Sequence, residues 1–280
     1  MNKINVTIWY EYTQESGVLR RDLVDPNISE EDFQKFARST EQVSKQIHNV
    51  YPQGLMAPII EALSQDPQLQ VTCTTLYDPE YGLPDALLEQ TDVLIWWAHI
   101  SHDAVPDLLA DRIVTRIHRG MGFIALHSAH KSKPFMRILG ASGTLKWREG
   151  DFCRIWNICP THPIARDIPE CIELAEEEMY GEVFDVPKPD DVVFLSWFRG
   201  GEVFRSGCTW TRGYGKIFYF QPGHETSPSY HHPDVLRILC NAVKWAAPHI
   251  WREQLNCPNI LESPEATYHY THEHDYSERH

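Results

Sequence analysis

The sequence predicts an α/β fold, a three-layer sandwich in which helices cover both faces of a mostly parallel sheet. Three observations predict it. Strand-length apolar segments alternate with segments of helical spacing from Ile4 to Leu126, and such β-α alternation argues for parallel strands joined by crossover helices. Gly122-Phe123-Ile124-Ala125-Leu126 is continuously apolar and bounded by glycine, the mark of a strand buried on both faces. The apolar runs also stop abruptly at polar clusters: Glu11-Tyr12-Thr13, then His99, then His127-Ser128-Ala129-His130. In open sheets of this kind ligands bind outside the carboxyl ends of the strands, so these clusters stand where such folds keep their chemistry.

The elements follow in order. Ile4 to Tyr10 is the first strand. A long polar segment from Gln14 to about Val50 follows, within which Ser29-Glu30-Glu31-Asp32 reads as an N-cap with an acidic first turn. We read it as a helical excursion over the sheet. Tyr51-Pro52-Gln53-Gly54 opens a crossover helix from Leu55 to Leu63, and Leu69 to Leu76 is the second strand. Pro84 to Glu89 is a short helix, Asp92 to Trp97 the third strand, and Val105 to His118 a helix with Leu108, Leu109, Ile113 and Ile117 near helical spacing. After the fourth strand, Lys133 to Leu139 is a short helix. From Gly143 the pattern breaks into segments interrupted by Gly, Pro and charge, which read as hairpins against the sheet edge. Cys171 to Leu174, Val192 to Phe198 and Lys216 to Gln221 are further strands, Glu176 to Tyr180 a loop, and Pro233 to Ala247 the last helix. No Ser/Gly linker divides the chain, so residues 1–250 read as a single domain and 251–280 as an irregular, histidine-rich tail.

The composition narrows the function. With 42% hydrophobic and 23% charged residues the chain is an ordinary soluble globular protein. A net charge of −14 repels phosphate backbones, so nucleic acid is not an expected partner. No apolar run approaches membrane-spanning length, and no secretory leader is visible. The seven cysteines form no C-x-x-C pair, which fits reduced, non-catalytic thiols in the cytoplasm. Neither G-x-G-x-x-G nor a P-loop motif is present, so no nucleotide cofactor is expected.

The chemistry is expected at the strand ends. His99, His127 and His224 each end an apolar run, with Glu225 beside the last. In a parallel sheet these ends converge. Histidine nitrogens and a carboxylate brought together make either a divalent metal site, with zinc the natural ion, or a general acid-base set. The candidate metal ligands are His99, His127 and His224. The candidate catalytic residues are His127, His224 and Glu178, with Ser128 as a nucleophile in the alternative. Ser128 stands about where a strand-turn-helix elbow would present one, but no G-x-S-x-G surrounds it.

Trp96-Trp97-Ala98-His99, Gly122 to Ser128, Glu178-Met179-Tyr180-Gly181 and Pro222-Gly223-His224-Glu225 together resemble the trehalose-utilisation (ThuA-like) family, and Tyr51 to Gly54 and His162-Pro163-Ile164 fit it too. The resemblance covers about residues 4 to 247. It implies a flavodoxin-like sheet of the class I glutamine-amidotransferase type. It also implies a role in metabolising trehalose or related disaccharides through 3-keto sugars, as a hydrolase, lyase or isomerase. Glutamine hydrolysis is disfavoured, because those enzymes place a cysteine where this chain has His127-Ser128. On this reading Tyr10, Tyr12, Trp97, Trp147 and Tyr180 face the sugar, with His130 and Glu225 among the substrate contacts. The partner is then a small sugar, and a homo-oligomer is compatible with the sequence. The rival reading is a non-catalytic carbohydrate-binding or assembly protein on a degenerate amidotransferase fold.

Overall fold

The computed structural model describes residues 3–24 and 27–252. Five parallel strands form its first half: β1 (Ile4–Tyr10), β2 (Leu69–Thr75), β3 (Val93–Trp97), β4 (Gly122–Leu126) and β9 (Gly215–Phe220). Their order, β2-β1-β3-β4-β9, is the flavodoxin order. Every residue of β3 and β4 is buried, as expected for central strands covered on both faces. The Trp9 and Trp96 rings stack at 3.7 Å between neighbouring strands.

The register positions the site. Tyr10 pairs with Trp97, Trp97 with Leu126, and Leu126 with Phe220. The residues that follow, Glu11, Ala98, His127 and Gln221, therefore leave the sheet side by side at one edge.

Helices form two groups. α3 (Ala57–Ser64) packs with α7 (Pro233–Ala246), while α5 (Asp107–Arg119) packs with α4 (Asp85–Gln90) and α6 (Lys133–Leu139). The excursion between β1 and α3 holds α1 (Thr13–Ser16) and the 21-residue α2 (Glu30–Val50). Ser29 caps α2, its hydroxyl accepting from the Asp32 N–H at 3.1 Å, as the sequence predicts.

The second half corrects the sequence reading. The expected hairpins do not pack against the sheet but extend it, so the sheet is parallel only in its first part. β8 (Val203–Arg212), β7 (Asp191–Phe198), β5 (Lys146–Asn157) and β6 (Cys171–Gly181) continue from β9 with antiparallel pairing. Glu176 to Tyr180 is no loop but the second half of β6, and Met179, Tyr180 and both Glu177 and Glu178 are buried there. Three consecutive glutamates hide a strand from any hydrophobic pattern. Glu177 finds donors at the sheet edge, and Glu178 faces the histidines.

Among the described residues, no helix is long and apolar enough to cross a membrane. The six described cysteines are unpaired. Cys257 and the histidine-rich tract beyond Arg252 lie outside the described residues.

Candidate metal centre

His127 directly follows β4 with φ of 52°, a left-handed backbone that a side chain rarely adopts. Outliers of this kind concentrate at functional sites, where the surrounding fold enforces them. Thus His127, not Ser128, occupies the strained elbow. Its Nδ1 lies 3.0 Å from the Gln221 carbonyl at the end of the neighbouring strand. A carbonyl only accepts, so the Nδ1 carries a proton, and in the neutral tautomer the Nε2 keeps its lone pair. Ser128 Oγ shares a 2.7 Å hydrogen bond with the Tyr180 hydroxyl. A serine nucleophile needs a base within reach, and the structure gives it a phenol whose burial pushes its pKa well above the ordinary value.

His99 sits in the loop after β3. Glu11 holds that loop: its buried carboxylate accepts from the N–H groups of His99 at 2.8 Å, Ile100 at 3.0 Å and Ser101 at 2.9 Å. Burial raises the Glu11 pKa, and these three N–H donors pull against it. His99 Nδ1 lies 2.9 Å from the Glu225 carboxylate and 3.1 Å from Gln14 Oε1. Burial would lower the His99 pKa, but the Glu225 carboxylate outweighs it and holds the ring up to about 9. In return Glu225 falls to about 2, burial being overcome by His99 and the other two histidines.

β6 supplies two adjacent carboxylates on opposite faces. Glu177 accepts from the N–H groups of Gly223 at 2.8 Å and His224 at 3.2 Å, and from the Ser229 hydroxyl, so it fixes the turn that carries His224. Only glycine serves at 223: φ is 129°, and a Cβ would lie 2.0 Å from the Tyr230 hydroxyl. Glu178 reaches the other way. His224 Nδ1 lies 2.9 Å from Thr226 Oγ1 and accepts a weaker 3.3 Å contact from the Thr226 N–H. An Nδ1 that accepts puts the proton of the neutral ring on Nε2, so a cation binding there must displace that proton.

Four ligand atoms, from His99, His127, Glu178 and His224, lie within 4.8 Å of one another. Ligands of a cation with bonds near 2.0–2.1 Å stand roughly 3.3 to 4.2 Å apart, so the cluster needs only a small closure. One detail tests whether a cation fits. His127 Nε2 lies 3.0 Å from Glu178 Oε2, yet that buried oxygen has no hydrogen-bond partner. In the neutral tautomer a lone pair there faces the oxygen, which a shared cation would satisfy, while a protonated His127 would satisfy it as an ion pair. Burial raises the Glu178 pKa, but His127, His224 and His99 outweigh it and keep the carboxyl below its usual range. Burial lowers His224, which favours the neutral ring that a metal needs.

The cluster opens into a cleft of about 330 Å³, at the small end of ligand sites. Ser128, His130, Trp147 and Tyr180 line it with His99, Glu178 and His224. His130 Nδ1 donates to the Gly143 carbonyl at 2.7 Å, and burial pushes its pKa down to about 3. Gly143 is required there, because φ is 62° and a Cβ would meet the His130 carbonyl oxygen at 2.2 Å. Of the residues predicted at the site, the structure brings together His99, His127, Glu178 and His224, with Ser128, His130, Trp147 and Tyr180 around them. Glu225 stands behind His99. Tyr10 and Tyr12 are not in the cleft wall but pack edge-on against each other. Trp97 is buried, its Nε1–H donating to the Gly223 carbonyl at 3.0 Å. Aromatic character alone drew attention to these three, and it does not tell a sugar platform from a core residue. The sequence reading missed Glu11, Gln14 and Glu177. Glu11 was detectable as the first polar residue after β1, while Glu177 had no mark to separate it from its glutamate neighbours.

The comparisons concern the family and the fold. The model of the ThuA family, described as trehalose utilisation, matches residues 40–246. The structure is similar to a ThuA-like protein from Bacteroides uniformis, with a TM-score of 0.53 and 15% identity over 88% of this chain and 91% of that one. It is similar to a ThuA-like protein from Parabacteroides merdae, with a TM-score of 0.54 and 12% identity over 91% of this chain and 93% of that one. A cytoplasmic protein from Salmonella typhimurium gives 0.51 and 13%, over 70% and 88% of the two chains. At such identities these structures speak for the fold alone. No curated protein matches the chain. The family model runs from the middle of α2 to the end of α7, which takes in every strand but β1 and the residues His99, His127, Glu178 and His224, and the chain therefore belongs to the ThuA, or trehalose-utilisation, family.

Proposed function

We propose that the protein is an enzyme that binds a divalent cation through His99, His127, Glu178 and His224 and acts on a sugar bearing a carbonyl, such as a 3-keto-disaccharide. The observation that carries this reading is the cluster itself: three histidines and a carboxylate, with the Nδ1 atoms engaged away from the centre and an orphaned carboxylate oxygen within it. A cation there would polarise the sugar carbonyl and stabilise the enolate formed beside it.

The chain's own residues supply the rest. With His127 and His224 engaged as ligands, the proton acceptor is a different residue from the one the sequence suggests. His130 is neutral, lines the cleft, and has its Nδ1 proton committed to Gly143, so its Nε2 is the unprotonated nitrogen. Burial holds its pKa down at about 3, and the negative charge developing on the enolate beside it is what makes it a competent base. It takes the proton from the carbon next to the carbonyl. The C–H electron pair becomes the enolate double bond. That pair then expels the group on the next carbon, whose oxygen leaves with the proton that His130 has taken. Tyr180 and Ser128 offer hydroxyls to the sugar, and Trp147, which is exposed, offers a stacking face. No covalent nucleophile is needed, which suits a Ser128 without a base.

The experiment supplies 3-keto-trehalose and trehalose to wild type, His127→Ala, His130→Ala and Ser128→Ala. The reading predicts turnover of the keto sugar only, losses of at least roughly a hundredfold for both histidine variants, and a modest effect for Ser128→Ala. Abolition by Ser128→Ala alone would favour a serine nucleophile. Binding without turnover in wild type would favour the non-catalytic alternative.

A further inference from the structure

A second cavity lies beside the cluster. It holds about 760 Å³, and its wall is formed by α2, the segment after α1 and the loop after β3. Leu23, Phe36, Val43, Ile100 and Ala104 give it a largely apolar surface. Phe36 is 55% exposed and Ile100 48%, so apolar surface that a folded core would cover is left facing this space. The reason lies in α2. Over its 21 residues only Thr40 and Ile47 are buried, whereas an amphipathic helix normally buries a whole stripe. Part of the α2 stripe, Phe36 and Val43, lines the cavity instead.

The cavity joins the cluster through named residues. Ile100 lines both this cavity and the 330 Å³ cleft. Gln14 lines the cavity and places its Oε1 3.1 Å from His99 Nδ1. Ile100 therefore stands between the cleft and the cavity, and a molecule reaching from one to the other would pass beside it.

We infer that this cavity receives the apolar aglycone of a neutral glycoside whose sugar sits at the His99, His127, Glu178 and His224 cluster. The inference rests on the proposed function and names its substrate class. Apolar side chains outnumber polar ones in the wall, eight to six, so a second sugar would leave part of its hydroxyls against apolar surface, and buried unpaired hydroxyls are costly. No Lys or Arg is among the described residues of the wall, while Asp22 and Asp103 are, so an anionic group is repelled. The volume lies within the range of small-molecule sites.

The test compares hexyl β-glucoside with methyl β-glucoside on the full-length, cation-loaded protein by calorimetric titration. In wild type the hexyl glycoside binds at least tenfold more tightly. Val43→Trp, which fills the cavity, and Phe36→Asp, at an exposed position, each bring the two affinities within about twofold and leave methyl glucoside binding unchanged. Circular dichroism confirms the fold, and the second variant covers the case in which the first fails to fold. Equal affinities in wild type, or a hexyl preference that survives both variants, would overturn the inference. Cation content, measured on the same samples, separates the two readings. Cation bound at the cluster without a hexyl preference sinks the aglycone site alone. A hexyl preference lost in both variants, with no cation at the cluster, supports the aglycone site and sinks the metal.

Discussion

At residue 127 the backbone is left-handed without a glycine to relieve it, a conformation that costs a non-glycine residue about 1–2 kcal/mol. The fold holds that conformation where Nδ1 meets the Gln221 carbonyl and Nε2 meets Glu178. His99 is oriented by a carboxylate instead, Glu225, in the pattern by which a second layer fixes a metal-binding imidazole. Glu225→Gln keeps the volume and removes the charge. We expect cation affinity to fall about 10- to 100-fold with the fold intact, as read by competition with a chelator. An unchanged affinity would show that Glu225 does not act through His99. The histidines also predict a pH profile for the chelator-treated protein. His99 is raised to about 9, so its contribution is complete below the unfolded value of 6.5 and is lost as pH rises toward 9. His130 and His102 are lowered to about 3, so theirs is present above 6.5 and is lost as pH falls toward 3. Each arm has a slope of up to about 1.4 kcal/mol per pH unit per group. Urea unfolding at pH 5.5, 6.5 and 8.5 should therefore find a maximum near the middle value; a steady rise across the three would contradict the assignment. These residues were legible to different degrees. His99, His127 and His224 stand out as polar ends of apolar runs. The role of Glu225 was not legible, because its partner lies 126 residues away.

Among the elements, the loop after β3 depends on a single side chain. Glu11 accepts from three successive backbone N–H groups, and all three lose their partner in Glu11→Ala. Buried donors left unpaired cost about 1–3 kcal/mol each, so we expect a loss of at least about 2 kcal/mol in urea unfolding, together with weaker cation binding as His99 is released. A variant as stable as wild type would contradict this. The sequence marked Glu11 as a strand end but could not show what it held, since backbone amides leave no trace in residue identity. β6 was illegible for a related reason. Its second half buries carboxylates among apolar residues on both faces, so the alternation that marks a half-buried strand is lost there. Both failures fall at the site, where burial of charge overrides the hydrophobic pattern.

Across the whole molecule, the parallel half was legible because each strand is a short apolar run followed by a helix. The antiparallel half was not, because its strands are long, broken by bulges and bridged by loops. The four ligands come from both halves: His99, His127 and His224 follow parallel strands, while Glu178 lies on the outermost antiparallel strand. A cation there ties the two halves together and binds only the folded chain. At about a hundredfold excess over the dissociation constant it should raise the melting temperature by roughly 5 °C. His127→Ala should abolish the shift even with the histidine-rich tail intact, since a tail that binds equally in folded and unfolded protein moves no equilibrium. The most direct measurement is an anomalous difference map, at the metal absorption edge, from crystals of the protein purified without chelators. The account predicts one peak bonded to His99, His127, Glu178 and His224. A map without density there, with Glu178 hydrogen-bonded directly to a protonated His127, would contradict it.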